Sequence, residues 1–263
     1  MAGNESPQIL RSLSVDNQDL ARFQENAEYI LKNVGEGKIL YNSGVKNKYH
    51  WRSMCYASQN FRAYYALETF PARQELIAEA FRTAKERDFV PRDYFKGINK
   101  VASFGCGPGS DLWGFKEFLK GEFAYSISRG NKLPRFTGFD SELGWMPFVE
   151  ALDFEFSCKE IDVGFLREML PQDVIIMSYF IKPARVMHRP PDEAREFWEE
   201  LEKKANLIMV VNEHDPELHT VLTKRGYDAF QLQDELKQCP AHVYCLYQNE
   251  FALLTARRRN IRR

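Results

Sequence analysis

One stretch of eleven residues constrains the fold of this chain more than any other. Val101–Asp111 reads VASFGCGPGSD, and its first four residues form the short apolar run typical of a buried strand. Three glycines at alternate positions follow, Gly105, Gly107 and Gly109, and apolar residues then recur at helical spacing. A strand, a glycine turn and a helix in this order let a ligand approach bare backbone, because glycine has no Cβ. The unpaired N–H groups at the start of such a helix favour anionic or acceptor groups.

The spacing of these glycines separates two kinds of cofactor site. A dinucleotide site has the pattern G-x-G-x-x-G with an acidic residue about 20 positions later. Here the pattern is G-x-G-x-G, and Ser110 stands at the third glycine position of the dinucleotide fingerprint. The stretch instead resembles motif I of the class I methyltransferases that depend on S-adenosylmethionine (SAM). A nicotinamide-dependent dehydrogenase remains the minor alternative.

The resemblance extends over about residues 99–257 and implies a set of SAM contacts. Asp140, at the end of the second predicted strand, would accept hydrogen bonds from both ribose hydroxyls, as suits an acceptor-only carboxylate. Asp162 would take the adenine amino group, beside the N–H of Val163. Ser178 would lie at the opening where the methyl group is transferred. The cofactor-binding residues implied are Ser103, Gly105, Gly107, Gly109, Asp140, Asp162, Val163, Ser178 and Tyr179. Open α/β sheets bind their ligands at the carboxyl ends of strands, where these residues fall.

Two features depart from the family pattern. Many members have an acidic residue two positions before the first glycine, where this chain has Ser103, so the expected support for the methionine amino group is weaker. The gap between Gly109 and Asp140 is also long, and Gly121–Pro134 is predicted to be an inserted surface loop.

The order of apolar patterns predicts a helical region followed by an α/β sheet. Residues 1–95 have apolar positions near the 3.6-residue spacing of helices, whereas short apolar runs alternate with helical patterns from Asn99 onward. Val243–Tyr247 and Phe251–Thr255 lie three residues apart, which is hairpin spacing, so an antiparallel last strand is expected. We therefore predict a Rossmann-like α/β fold, mostly parallel. Its divisions are a helical N-terminal cap at 1–95, a SAM-binding domain at 96–257 and a basic tail at 258–263.

The N-terminal region contains an aromatic segment, Tyr49–Tyr56, that continues to Tyr64 and Tyr65. These rings either pack on the following domain or cover a substrate, because Tyr and Trp combine a flat apolar face with a polar tip. The two interpretations are compatible. The predicted substrate-binding residues are Tyr64, Tyr65, Tyr179 and Lys182.

Motif I does not identify a catalytic residue, because methyl transfer mainly needs an aligned nucleophile, exclusion of water and, for some acceptors, a base. The candidates near the opening are Tyr179, Glu213 and His214. In the alternative interpretation the cluster around Glu213 only caps the next helix, with Asp215 placed before Pro216. Ser178 and Tyr179 also depart from the Asn/Asp-Pro-Pro-Tyr pattern of enzymes that methylate amino groups of nucleic acids, which disfavours an adenine N6 acceptor.

Composition limits the remaining functions. The chain has 263 residues, 44% of them hydrophobic, and a net charge of −1, which describes a globular protein with a sizeable core. Its five scattered cysteines do not form a disulfide framework, and it shows neither a signal peptide nor an apolar run of membrane-spanning length. We expect a cytoplasmic protein, with the nucleus as an alternative, and no membrane partner. No metal is predicted, since Cys239-x-x-His242-x-x-Cys245 lacks a fourth ligand.

The end of the chain is strongly basic. Five of its last seven residues are arginines, within Arg257–Arg263, and they form either a solvated end or an anchor for RNA phosphates. The sequence thus predicts a SAM-dependent methyltransferase with a small-molecule acceptor. The alternatives are an RNA methyltransferase anchored by this tail and a SAM-binding partner subunit without catalysis.

Overall fold

A computed structural model describes residues 18–43, 56–128, 133–181, 186, 189–236 and 239–248 of the chain. The helices are α1 (Gln18–Ile30), α2 (Val34–Tyr41), α3 (Gln59–Glu86), α4 (Ser110–Ser128), α5 (Met146–Ala151), α6 (Val163–Glu168), α7 (Pro191–Glu202) and α8 (Pro216–Lys224). The strands are β1 (Lys100–Phe104), β2 (Arg135–Asp140), β3 (Glu155–Cys158), β4 (Gln172–Ser178), β5 (Ala205–Asn212), β6 (Asp228–Asp234) and β7 (Cys239–Tyr247). Short 3₁₀ turns precede β1 and α5, at Arg92–Gly97 and Leu143–Trp145.

The strands form one seven-stranded sheet in the order β3-β2-β1-β4-β5-β7-β6. The pairs among β1 to β5 are parallel, and β7 is antiparallel to both β5 and β6. The predicted fold class, a mostly parallel Rossmann-like sheet with an antiparallel last strand, is therefore confirmed. The hairpin partner of β7 is β6, whereas Phe251–Thr255 lies outside the described residues.

Alternate residues of the central strands face two separate cores. Val174 and Ile176 of β4 point into a first core under α1, α3, α4 and α5, while Ile175 and Met177 point into a second core under α6, α7 and α8. All four side chains are fully buried, because β4 lies between β1 and β5 and is covered on both faces. The sheet is therefore the middle layer of three.

The N-terminal helices share the first core with the sheet. Phe23 of α1 and Phe70 of α3 are fully buried, with ring centroids 4.3 Å apart, and belong to the same cluster as Trp113 of α4. The side chain of Ser58 caps α3 by accepting a hydrogen bond from the N–H of Phe61 at 3.3 Å. Helices α1 and α3 of the N-terminal region thus lie over one face of the sheet, and the division near residue 95 stays a prediction.

Two further features bear on the sequence predictions. The expected surface loop at Gly121–Pro134 is wrong in its first part, because α4 continues to Ser128 with a local break at Phe123. Phe123 is buried there, so its side chain anchors the last turns of the helix in the core. In the part of the chain that the structure describes, none of the helices combines the length and apolar character needed to cross a bilayer.

Candidate cofactor and acceptor site

The glycine turn after β1 depends on backbone conformations that favour glycine. Gly105, Gly107 and Gly109 have φ angles of 64°, 50° and 92°, in the left-handed region. The N–H groups of Gly105 and Cys106 both donate to the carbonyl oxygen of Phe139, at 2.8 and 3.1 Å, and thereby fix the turn against the end of β2. The turn lies at the point where the strand order reverses between β1 and β4, which is the ligand crevice of open α/β sheets.

The surroundings of these glycines differ. A Cβ on Gly105 would stand 2.5 Å from the ring of Phe180, so that position is closed by packing. A Cβ on Gly107 would meet no atom of the described chain within 4 Å. Gly107 therefore presents bare backbone to an open space, which is the property that a cofactor turn requires.

Asp140 lies directly beside this turn. Its Oδ2 accepts a hydrogen bond from the N–H of Gly107 at 3.0 Å, and its Oδ1 accepts one from the N–H of Glu142 at 2.9 Å. Burial raises the pKa of Asp140, although these two N–H donors partly offset that effect. The backbone of Ser141 also hydrogen-bonds to this carboxylate, and about one of its four acceptor positions remains for a hydroxyl of a bound diol.

Ser103 is fully buried and reaches the site only through another residue. Its hydroxyl donates to Oδ2 of Asp111 at 3.1 Å, and the hydroxyl of Ser178 donates to Oδ1 of the same carboxylate at 2.5 Å. Burial raises the pKa of Asp111 from 3.8 to about 6, while the two serine hydrogen bonds lower it. The sequence analysis assigned Asp111 no role. The available signal was a serine at the end of each of two otherwise apolar strands.

Tyr179 is held on several sides at the end of β4. Its φ is 53°, which is uncommon outside glycine, and its N–H donates to the carbonyl oxygen of Val211 at 2.8 Å. The guanidinium of Arg73 lies 3.5 Å from the centroid of its ring, and its hydroxyl donates to Asp234. Burial raises the pKa of Tyr179, so the phenol is neutral near pH 7. This arrangement suits a wall of the site better than a general base.

Arg73 and Asp234 are functional candidates that the sequence analysis missed. The two side chains form an ion pair with a nitrogen–oxygen distance of 3.3 Å, and both residues are buried, with exposed fractions of 6% and 2%. Arg73 belongs to α3 and Asp234 to the end of β6, and the pair is 161 residues apart in sequence. No local pattern connects positions so far apart.

The two tyrosines predicted to bind substrate both pack against Tyr41 but differ in their other neighbours. Tyr64 packs with Tyr41, at 5.6 Å between ring centroids, in a small cluster among the N-terminal helices. The ring centroids of Tyr65 and Trp145 are 5.7 Å apart, and burial raises the pKa of Tyr65, with contributions from the negative charges of Asp111 and Asp140. Tyr65 therefore borders the cofactor site, whereas Tyr64 packs away from it.

Asp162 and Val163 lie at the start of α6. Oδ1 of Asp162 caps this helix by accepting a hydrogen bond from the N–H of Phe165 at 2.7 Å, and the residue is exposed. The second carboxylate oxygen remains able to accept a hydrogen bond, so the adenine contact stays a prediction.

The polar residues that follow β5 have different surroundings. Asp215 caps α8, because its Oδ1 accepts hydrogen bonds from the N–H groups of Glu217 and Leu218 at 3.0 Å each. His214 is exposed and stacks on His242, with ring centroids 4.5 Å apart. The charge of Glu213 acts on Tyr179, which places this half-buried carboxylate at the end of β4. Glu213 is therefore the better positioned of the acid–base candidates.

Several predicted positions lie outside the described residues. These are Lys182, the greater part of the aromatic segment at 49–55, and the arginines of Arg257–Arg263. Their assignments stay predictions.

No protein-family model matches the sequence, and no curated protein matches it. Among solved structures, magnesium protoporphyrin IX methyltransferase from Synechocystis PCC 6803 with bound SAM is 12% identical over 83% of this chain and 99% of its own, with a TM-score of 0.41. An O-methyltransferase family protein from Burkholderia thailandensis is 10% identical over 82% and 72% respectively, with a TM-score of 0.44. TrmN from Thermus thermophilus is 14% identical over 70% and 53%, with a TM-score of 0.43.

The chain's own topology describes its fold. Parallel strands run outwards in both directions from the β1–β4 reversal, a glycine turn follows β1, and β7 is inserted antiparallel between β5 and β6. The described chain therefore has a Rossmann-like α/β fold, mostly parallel with an antiparallel last strand, as its resemblance to class I methyltransferases implied.

Proposed function

We propose that this protein binds SAM and transfers its methyl group to a small-molecule acceptor. One observation carries the proposal. Gly107, in a left-handed conformation and facing open space, donates its N–H to the carboxylate of Asp140 at the point where the strand order reverses. This arrangement joins a backbone surface for close approach to an acceptor for the ribose hydroxyls.

The residues at this edge of the sheet fit the cofactor. Gly105, Gly107 and Gly109 would form the turn under its ribose and methionine portions, and Asp140 would accept hydrogen bonds from the ribose hydroxyls. Ser178 and Tyr179, at the end of β4, would border the reacting end. SAM supplies an electrophilic methyl group on a sulfonium centre.

The protein's part in the reaction is to position the acceptor and exclude water. Tyr65, which packs on the buried ring of Trp145, lines the β2 side, and Tyr179, fixed by Arg73, lines the β4 side. Flat acceptors can be oriented between such rings. For an acceptor that must lose a proton, Glu213 is the candidate base, because Tyr179 remains a neutral phenol.

The proposal is tested by calorimetric titration of the full-length protein with SAM and, separately, with NAD. Binding of SAM alone supports it. Binding of NAD in its place, or of neither compound, contradicts it.

Asp140→Ala is the matching variant. It is expected to abolish SAM binding while its circular dichroism spectrum and thermal transition stay close to those of the parent protein. Asp192→Ala, on the exposed first turn of α7, is the control and should bind SAM normally. Normal SAM affinity in Asp140→Ala would contradict the assigned site.

A further inference from the structure

We propose that Asp111 binds the ammonium group of the methionine portion of SAM, and that Ser103 and Ser178 position its carboxylate for this contact. The inference rests on the SAM site proposed above. It assigns the cationic end of the cofactor to a residue in the helix after the glycine turn.

The carboxylate of Asp111 lacks a close counter-ion among the described residues. Asp111 is only 2% exposed, and the groups that hydrogen-bond to it are uncharged: the hydroxyls of Ser103 and Ser178 and the backbone of Ser178. Within the described residues, no Lys, Arg or His nitrogen lies within 4 Å of this carboxylate. Arg73 acts on it from a greater distance and forms its own ion pair with Asp234. A buried carboxylate costs free energy unless a cation or several donors compensate it, so a cationic ligand would be favoured here.

Asp111 also lies next to the glycine turn. Asp111 lies in the first turn of α4, two residues after Gly109, and its two serine partners lie on β1 and β4, the strands on either side of the reversal point. The carboxylate of Asp140 adjoins the same glycine turn from the β2 side. The two acids therefore border the turn from opposite sides. With the ribose hydroxyls at Asp140, Asp111 on the β4 side would be available to the cationic end of the cofactor.

The hydrogen bonds that Asp111 accepts leave it able to bind a further donor. Both serine hydroxyls donate, one to each oxygen of Asp111, and the backbone of Ser178 contributes a third hydrogen bond, so about one of the carboxylate's four acceptor positions remains for another donor. Hydrogen bonds from an ammonium to a carboxylate are about twice as strong as neutral ones. The serines also fix the orientation of the carboxylate, so that little side-chain entropy remains to be lost on binding.

A purely structural role makes a different prediction. If Asp111 only linked β1 to β4, its replacement would alter stability and leave ligand selectivity unchanged. Asp111→Asn separates the two roles, because the amide has the same shape and can still form hydrogen bonds with both serines. It removes only the negative charge.

The test compares three ligands in calorimetric titrations of the full-length protein. SAM and S-adenosylhomocysteine contain the ammonium group, whereas 5′-methylthioadenosine contains the same nucleoside without it. Asp111→Asn is expected to bind the first two at least tenfold more weakly and 5′-methylthioadenosine with unchanged affinity. Asp140→Ala should weaken all three, since all contain the ribose.

The outcomes distinguish this inference from the proposed function. Equal losses for all three ligands in Asp111→Asn, or no loss for any, would overturn the role of Asp111 while the SAM site stands. A parent protein that binds none of the three would overturn both proposals. Ser178→Ala gives a second reading that does not depend on the folding of Asp111→Asn. It keeps the charge but loses one positioning bond, and should weaken SAM about threefold to tenfold without affecting 5′-methylthioadenosine.

Discussion

The guanidinium of Arg73 lies 3.5 Å from the ring centroid of Tyr179 and at the same time forms an ion pair with Asp234, to which the Tyr179 hydroxyl donates. Three side chains from α3, β4 and β6 therefore form one buried unit beside the proposed acceptor position. Each member is oriented by the other two.

Replacing Arg73 should strongly destabilise the protein. Arg73→Ala removes one partner of a buried ion pair, and such a loss costs about 3 to 5 kcal/mol. Arg73→Lys should recover only part of that free energy, because lysine lacks the planar fork that stacks on the ring. Urea unfolding monitored by tryptophan fluorescence measures both variants. Arg82→Ala, on the more exposed surface of the same helix, is the control and should change the free energy of unfolding by less than about 1 kcal/mol. Equal effects in the Arg73 and Arg82 variants would contradict this account.

The glycines of the turn should respond differently to substitution. Gly107→Ala introduces strain of about 1 to 2 kcal/mol but no overlap, so the protein should fold and lose SAM affinity as the methyl group enters the open space. Gly105→Ala should be more destabilising, because its Cβ overlaps the ring of Phe180. Thermal unfolding together with SAM titration checks this. A Gly107→Ala protein with parental SAM affinity would show that the open space is not the cofactor site.

The affinity for SAM should increase as the pH rises through about 6. Burial raises the pKa of Asp111 to about 6, and a cationic ligand favours its ionised form, so binding releases a proton below that pH. Other groups face this carboxylate: the guanidinium of Arg73 on α3, and Tyr65 and Cys106, whose pKa values are raised by burial so that both stay neutral. Asp140 also has a raised pKa, and its contribution should remain in Asp111→Asn. Titrations from pH 5 to 8 should show a smaller increase in that variant, and identical profiles would contradict the prediction.

Titration of Asp111 should affect the stability of the free protein with the opposite sign to its effect on SAM affinity. Because the pKa of Asp111 in the folded protein lies above its ordinary value, the folded protein binds more protons than the unfolded chain between about pH 4 and 6. The free energy of unfolding without ligand should therefore fall as the pH rises through this window, and Asp111 should account for about 2 to 3 kcal/mol of the fall. Comparing Asp111→Asn with the parent by urea unfolding at pH 4.5 and 7.5 isolates the contribution. No difference between their pH dependences would show that Asp111 titrates normally.

Deletion of residues 257–263 tests the choice of acceptor. The small-molecule proposal expects unchanged SAM binding and no change in the interaction with RNA. The RNA alternative expects salt-sensitive RNA binding that the deletion abolishes, since five arginines release counterions from phosphates. Filter binding of labelled tRNA at 50 and 200 mM salt distinguishes the two.

The sequence allowed the fold to be predicted because its evidence is local. Strand, glycine turn and helix follow one another within Val101–Asp111, and the apolar run of β4 identifies a central strand. Asp140 was predicted from its place after β2, and the structure puts it in contact with Gly107. The Gly121–Pro134 prediction failed because glycine suggested a break, whereas the burial of Phe123 continues the helix.

The remainder of the site arises from contacts between distant positions. Ser178 and Asp111 are 67 residues apart, and the topology of the sheet rather than any spacing brings them together. A single acid at the start of a helix usually does no more than stabilise its N-terminus, so the sequence alone indicates no further role for Asp111. Its burial between two serines is visible only once β1 and β4 are known to be neighbours.

The reversal of β7 has a consequence for how the chain folds during synthesis. Because β7 is antiparallel to both of its neighbours, β6 runs in the same direction as β5. Strand β6 therefore ends, at Asp234, on the same edge of the sheet as the glycine turn. The turn, Asp140 and Asp111 emerge from the ribosome well before Asp234, which supplies the counter-charge for Arg73. Because Asp234 is synthesised after the other residues of this unit, Arg73 on the nascent chain lacks this counter-charge until the last hairpin docks. Closure of the acceptor side is therefore a late, long-range event, and a ribosome stalled before residue 228 would hold a chain with a formed glycine turn and an incomplete acceptor wall.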